Sequence, residues 1–403
     1  MAQRLNGDHA DYGGPSLPCV CGEPARYAGR RDKTVHSVLG AMTLARAYYH
    51  CAACQRGYFP RDAALSIVDS TLSPAVTRMI GLVGAMVSFA EGAELLGELA
   101  GVVVNAKQVE RTAEALGAEI AADERDRVAL NAEADLAPTL YLGLDGTAIP
   151  MRAAELAGRH GKQADGGAKT REVKLCTVWS AEGRDAEGIP MRDVGSISYS
   201  AAIESAATRD IDTAPSPFAQ RVRREACRRG FDHAARQVVL GDGALWIWNL
   251  ADEYFPQAIQ IVDRFHVKQH LSDVAKAIYG AGSDLAQHWA RQRYDQLDAG
   301  DIDAILTCLK LHSTHCEVAR KCIDYLDNNR SRMRYPEFRA QGLCTSTGVV
   351  EAGCKVAIGT RLKRAGMHWT LAGANAIIAL RCCKLSRRFA DFWEVRAEGR
   401  LRA

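Results

Sequence analysis

The chain has 403 residues, 47% hydrophobic and 25% charged, with a formal net charge of +3 at pH 7. That length exceeds one ordinary core and predicts two to four domains, and the composition excludes a disordered or low-complexity chain. No run approaches the roughly 20 uncharged apolar residues that span a bilayer, and "MAQRLNGDHADYGG" lacks the apolar core of a signal peptide, which predicts a cytoplasmic protein with no membrane partner. Thirteen cysteines, an odd number scattered along the chain, suit a reducing compartment.

In chain order, the first element is a cysteine module. Cys19 and Cys21 form a CxC pair and Cys51 and Cys54 a CxxC pair. Between them, Thr34-Val35-His36 and the stretch from Leu44 to Tyr49 alternate as hairpin strands do. Two close pairs joined by a hairpin can set four thiolates at the corners of a tetrahedron, as structural Zn²⁺ requires, and the metal then replaces a core too small to stand alone. The other reading is four ordinary reduced thiols. Neither implies chemistry, because a site closed by four sulfurs has no open position.

Apolar residues then recur every three or four positions, for example Ala85, Phe89, Ala93, Leu96 and Leu99, which predicts helices. The break at Gly101 and a new helix from Ala106 have the grammar of a helix-turn-helix, with Lys107, Gln108 and Arg111 as candidate major-groove contacts. A plain helical bundle or a dimerisation element fits the same pattern. The charged tail "AADERDRVALNAEADLAP" stops at Pro138, a domain boundary.

Beyond Pro138 the period changes to alternation. "TLYLGLDGTAIPMR", "EVKLCTVWSAEG" and "GSISYSA" read as three strands, "SPFAQRVRREACRRGFD" as a helix and "QVVLGDG" as a fourth strand. "ALWIWNLADEYFP" is a helix, and "AIQIVDRFHV" a fifth strand feeding a long helix. This is the order of a ribonuclease-H-like α/β fold, in which the first and fourth strands are neighbours. Asp145 at the end of the first and Asp242 at the end of the fourth then meet. Such a carboxylate pair calls for divalent cations, and hard oxygen ligands suit two Mg²⁺ or Mn²⁺ ions, the standard device for phosphodiester chemistry. The region from His266 to Leu343 reads as helical. Glu351, in a helix primed by Thr345-Ser346-Thr347-Gly348, is the candidate third ligand, with Lys355 one turn on and positioned for a DNA phosphate. Asp263 and His266 in "VDRFHV" are auxiliary candidates. Asp263 is the lesser rival to Asp242, and His266 is a group beside the metal site or against DNA, or a histidine that caps its helix.

The combination resembles the DDE transposases of bacterial insertion sequences, and within them the ISKra-four (Kra-type) group. The residues that carry the resemblance are "RAYYHCAACQRGYFPRD", "LGLDGTAIPMR", "KTREVKL", "VLGDGALWIWNLA", "IVDRFHVKQHL" and "GVVEAGCKVAIGTRLKRAGMHWTLAGANAIIALRCCKLSRRFADFW", which span nearly the whole chain. The resemblance implies a ribonuclease-H-like core interrupted by a helical insertion, with the acidic triad at Asp145, Asp242 and Glu351.

The expected organisation is a zinc-ribbon-like module at 1–72, a helical DNA-binding domain at 73–137, the first part of the core at 138–270, the helical insertion at 271–344, and the acidic helix with basic C-terminal helices at 345–403. Arg361, Lys363, Arg364, Arg381, Lys384, Arg387, Arg388, Arg396, Arg400 and Arg402, interleaved with Trp369, Phe389, Phe392 and Trp393, form a basic region suited to a phosphate backbone. A second basic cluster, "RVRREACRRG", precedes the fourth strand. The partners expected are transposon ends and target DNA, with a homo-oligomer on DNA and a nucleoid-associated location. Two rivals remain: a structure-specific nuclease on the same fold, and a zinc-containing DNA-binding regulator whose acids are structural.

Overall fold

The computed structural model describes residues 2–126, 137–161, 166–207, 214–346 and 348–402, with side chains as far as 396. Most of the charged tail after Asp126, residues 162–165 and 208–213, Thr347 and the side chains of Arg400 and Arg402 lie outside the described residues. The chain divides into two units, Met1–Ala121 with Arg387–Ala403, and Ala122–Ser386.

In the first unit, helix α1 (Ala2–Gly7) precedes four antiparallel strands in the order β1 (Ser16–Pro18), β2 (Pro24–Ser37), β3 (Gly40–His50) and β4 (Gly57–Tyr58). Alternation sends Ala47 and Tyr49 of β3 inward beside Ala25 and Cys51, while Val35 and Leu44 pack on Ile67. So small a core is braced by charge. Asp11 accepts from Arg30 at 2.9 Å, Arg61 at 3.0 Å and the Ala47 N–H at 2.7 Å. Asp62, on helix α2 (Pro60–Ala64), accepts from Arg46 at 2.6 Å and Lys33 at 3.0 Å.

Helices α3 (Pro74–Met86), α4 (Phe89–Ala100) and α5 (Ala106–Asp126) follow. Ser88 and Glu91 close a capping box at the start of α4, and Gly101, at φ 62°, ends it in the left-handed conformation. A Cβ on Gly84 would lie 2.6 Å from the Ala113 Cβ, so α3 and α5 touch through small residues. The last helix, Phe389–Arg402, belongs to this unit and is tied to α5 by Arg396 and Glu119 at 2.7 Å.

The second unit is built on β5 (Thr139–Pro150), β6 (Thr170–Ser180), a small ribbon β7 (Gly183–Arg184) and β8 (Pro190–Met191), β9 (Ser198–Ala202), helix α6 (Pro217–Arg228), β10 (Arg236–Gly241), α7 (Leu245–Tyr254), β11 (Ile259–Val262) and α8 (Arg264–Tyr279). The sheet order is β11-β10-β5-β6-β9. β10 runs parallel to both neighbours, while β5, β6 and β9 form an antiparallel meander. The predicted mixed α/β class is therefore observed. Leu142, Val178, Val238 and Leu240 are fully buried, as central strands are when helices cover both faces. The β9 edge is sealed by the helix Leu371–Leu385.

Four more helices, α9 (Asp284–Ala299), α10 (Ile302–Lys310), α11 (Glu317–Asn329) and α12 (Tyr335–Ala340), complete a helical block that begins with α8. Its two ends meet, because the Arg264 N–H donates to the Thr345 carbonyl at 3.0 Å. Then come α13 (Gly348–Gly353), a π-helical turn over Cys354–Gly359, α14 (Thr360–Leu362) and α15 (Leu371–Leu385). The β9 backbone is capped here, as Ile203 N–H donates to Asn375 Oδ1 at 2.8 Å and Tyr199 N–H to Ser386 Oγ at 2.9 Å. Among the described residues no helix is long and apolar enough to cross a membrane.

Candidate active site and metal centre

The register of the second sheet brings two of the predicted acids together. β10 pairs with β5 as far as Leu240 opposite Gly143, so Asp242 and Asp145 lie two residues beyond one pair on adjacent parallel strands. Strands so paired are about 4.8 Å apart, and residues two apart share a face. Asp145 does not end its strand, as the sequence led us to expect. β5 continues to Pro150 on its β6 side, opposite Thr170, and only its pairing with β10 stops. Asp145 therefore sits where the sheet opens, half-buried, and burial raises its pKa above the ordinary 3.8. The neighbouring Asp242 pushes in the same direction, while hydrogen bonds from Cys354 and the Gly146 N–H oppose the rise.

Asp242 follows β10 in a turn of its own making, its Oδ1 accepting the Ala244 N–H at 2.9 Å. Gly243 next to it has φ 101°, and a Cβ there would strike the Tyr325 ring at 2.5 Å. Tyr325, from α11, donates its hydroxyl to the Asp242 carbonyl at 2.7 Å and packs on His270 with ring centroids 4.2 Å apart.

The helix carrying Glu351 stands over the same face. Asp145 is opposite Leu175, and Gly143 opposite Thr177. A Cβ on Gly353 would lie 3.1 Å from Leu175, 3.1 Å from Tyr199 and 3.3 Å from Thr177, so α13 meets the sheet through a glycine. That approach delivers Cys354 onto Asp145 and leaves Glu351 exposed one turn earlier. The charges of Asp145 and Glu351 both act on the Cys354 thiol, whose pKa is raised by burial first and by those acids next. Lys355, the second residue of the π-helical turn, is exposed as well.

Asp263 is 1% exposed and caps α8, accepting from the Phe265 N–H at 2.7 Å and bonding His266 Nδ1 at 3.1 Å. Both of its carboxylate oxygens are engaged, whereas Asp242 is engaged through Oδ1. The His266 pKa is raised, chiefly by that bond to Asp263 against the opposing effect of burial, with smaller contributions from Asp242 and Asp145. His266 is therefore within the field of both acids.

The cysteine centre lies in the first unit and is already closed. Cys19 and Cys54 have their sulfurs 3.5 Å apart, Cys21 and Cys51 3.6 Å, and all four lie within 4.8 Å of one another. With Zn–S bonds of about 2.3 Å, the edge of a tetrahedron is about 3.8 Å, whereas a disulfide needs about 2.05 Å. The donor set fits zinc. The Cys51 thiol is pulled down to about 7, first by a backbone N–H bond at Cys54. Cys21 has a backbone bond at Glu23 that opposes the rise, yet its sulfur bond with Cys51 and burial push it up to about 12. Among the described residues these four are the one group of three or more His, Cys, Asp or Glu side chains gathered closely enough to hold a metal as they stand. Asp145, Asp242 and Glu351 are not among the groups gathered to that spacing.

The predicted DNA contacts divide. Lys363 is exposed and donates to Thr147 Oγ1, two residues beyond Asp145, and Arg364 is half-buried. Arg361 is fully buried with its guanidinium 5.2 Å from the Trp369 ring, and Arg381 is buried donating to the Val356 and Ala357 carbonyls and to Thr360, so Arg381 braces the π-turn. Lys107 and Arg111 are exposed, Lys107 pairing with Glu110 at 2.7 Å, while Gln108 is drawn back into the cap of α5 by Asn105. In the second basic cluster Arg221 is bound to Glu204 and Arg228 to Glu225. Sequence reasoning missed Cys354, Gly353 and Tyr325. The glycine and cysteine in "EAGC" carry no signal of what they touch, and Tyr325 stands 83 residues from its partner.

No curated protein is matched by this chain. Among solved structures it is similar to a chain of the Drosophila P element transposase strand transfer complex, at 11% identity and a TM-score of 0.27, over 81% of this chain and 82% of that one. The family model described as the uncharacterised protein family UPF0236 matches residues 25–389. That match covers most of the sequence, and the chain belongs to UPF0236.

Proposed function

We propose that this chain is a DDE-type DNA transposase of the Kra type, which cleaves the ends of an insertion sequence and joins them to target DNA. The observation that carries the reading is the meeting of Asp145 and Asp242 on adjacent parallel strands, with the Glu351 helix packed over the same face. The strand order is the one a ribonuclease-H-like core uses, which supports placing the catalytic site there.

Asp145, Asp242 and Glu351 offer only carboxylate oxygens, and burial together with Asp242 disfavours the ionised form of Asp145. That is the electrostatic state a pair of Mg²⁺ or Mn²⁺ ions relieves. Bound there, the ions would stabilise the attacking and leaving oxygens of a phosphodiester displacement. Asp145 would give up its bond with Cys354 to become a ligand. Gly243 and Tyr325 hold the Asp242 turn, Asp263 holds His266 toward the acids, and Lys355, Lys363 and Arg364 meet DNA phosphates. The four cysteines hold Zn²⁺ as a structural group. Water and then a 3′ hydroxyl serve as nucleophiles, so no covalent intermediate with the protein is required.

The test is a plasmid assay with the element's own ends. Wild-type protein with Mg²⁺ is expected to cut the ends and join pre-cut ends to a target, and Asp242→Asn to bind DNA while doing neither. Cleavage without joining would favour the nuclease, and an Asp242→Asn protein with every activity intact would favour the regulator.

A further inference from the structure

We infer that Phe265 stacks on a nucleobase next to the phosphodiester held at the carboxylate site, where the strand to be cut leaves its duplex. Asp263 caps α8 directly beside Asp242, because Gly241 and Val262 pair on adjacent parallel strands and the Asp263 N–H donates to the Gly241 carbonyl at 2.8 Å. Phe265 follows two residues later, in the first turn of the helix, and is 57% exposed. Among the described residues of the second unit, it is the one exposed Phe, Tyr or Trp ring. Leu245, the first residue of α7, is 72% exposed three residues after Asp242. Both helices that start at this sheet edge therefore carry an apolar side chain in water in their first turn.

The residue is placed by fixed groups. Its N–H donates to Asp263 Oδ1 at 2.7 Å, the other oxygen of that carboxylate bonds His266 Nδ1 at 3.1 Å, and His266 is within the field of Asp145 and Asp242. The Arg264 guanidinium lies 5.4 Å from the Phe265 ring centroid and is itself anchored on Asp298 at 3.0 Å. A ring left in water forgoes the burial that the other aromatic side chains of this unit obtain, and a base stacked on it restores that burial. A strand drawn toward groups at a sheet edge opens the base steps beside its reacting phosphate. Apolar side chains hold such steps open, by wedging between them or by stacking on the freed base. Chance exposure has no preference for this edge, whereas a stacking role requires it.

This deepens the proposed function and rests on that reading for its substrate. The test compares cleavage of a fully paired element end with cleavage of the same end carrying mismatches at the base pairs that flank the cut. Phe265→Ala is expected to cut the paired end about tenfold more slowly than wild type, the loss of one stacked base, and to regain most of that rate on the mismatched end. Phe265→Trp keeps a stacking ring and is expected to cut both ends at near the wild-type rate. A Phe265→Ala protein that matches wild type on the paired end, or that loses equally on both ends, overturns the stacking role. A wild-type protein that cuts neither end sinks the transposase reading, and binding to the two duplexes then decides the ring. A wild-type preference for the mismatched duplex that disappears in Phe265→Ala upholds the stack, and a preference that is absent or unchanged overturns it.

Discussion

The two candidate centres of this chain differ in how finished they are. The four sulfurs stand at nearly the separations a tetrahedral ion imposes, supplied by two short loops on one hairpin. The three acids come from two strands and a helix far apart in sequence, and one of them is held by a thiol. A centre that holds a fold together gains from being complete, and a centre that works on a substrate needs coordination positions left over. On the proposed function, the contrast separates a structural site from a reactive one within a single chain.

That contrast can be broken most forcefully at the cysteines. Zinc in such small modules contributes about 10–16 kcal/mol of apparent folding free energy, so Cys51→Ser or a strong chelator should unfold the hairpin. Metal analysis should give one zinc per chain before treatment, and circular dichroism should register the loss. A hairpin that melts unchanged after chelation would make the cysteines ordinary thiols.

At the acids the opposite is expected. Asp242→Asn or Asp145→Asn should lower cleavage by about 10³-fold or more, roughly 4 kcal/mol of barrier, with the fold intact. The folded pKa of Asp145 is raised, so its ionised form weakens the native state as pH climbs above the ordinary 3.8. Asp145→Asn should therefore melt higher than wild type at neutral pH without divalent ions, and that advantage should vanish as the pH falls toward 3.8. A variant that melts lower at neutral pH would contradict the electrostatic account.

Two smaller effects sharpen the comparison. Gly353→Ala places a methyl 3.1 Å from Leu175 and Tyr199 and should cost about 1–3 kcal/mol, with cleavage falling further because the Glu351 helix lifts. Thermal melts beside activity assays distinguish the two losses. Tyr325→Phe removes the bond to the Asp242 carbonyl at 2.7 Å and should cost about 0.5–1.5 kcal/mol.

What the sequence discloses follows the range of the interaction. Cys19, Cys21, Cys51 and Cys54 are legible because spacing alone brings each pair together. Asp145 and Asp242 are legible because each interrupts an apolar alternation next to a glycine, and parallel pairing of their strands then aligns them. Arg361 was misleading: within a run of basic residues nothing marks the one that is fully buried against Trp369. The π-turn, the glycine contact at Gly353 and the Tyr325 brace depend on packing between elements remote in the chain, and no local pattern encodes them.

The bond between Arg264 and Thr345 has an architectural consequence. Because the helical block leaves the sheet and returns to it at one point, the approach to α13 is tied to the start of α8 by a backbone contact and not by the length of chain between them. Any exchange of that block would have to replace the Tyr335 hydroxyl on the Val262 carbonyl and the Asn329 acceptor of Trp248 as well as the Tyr325 hydroxyl on the turn after β10.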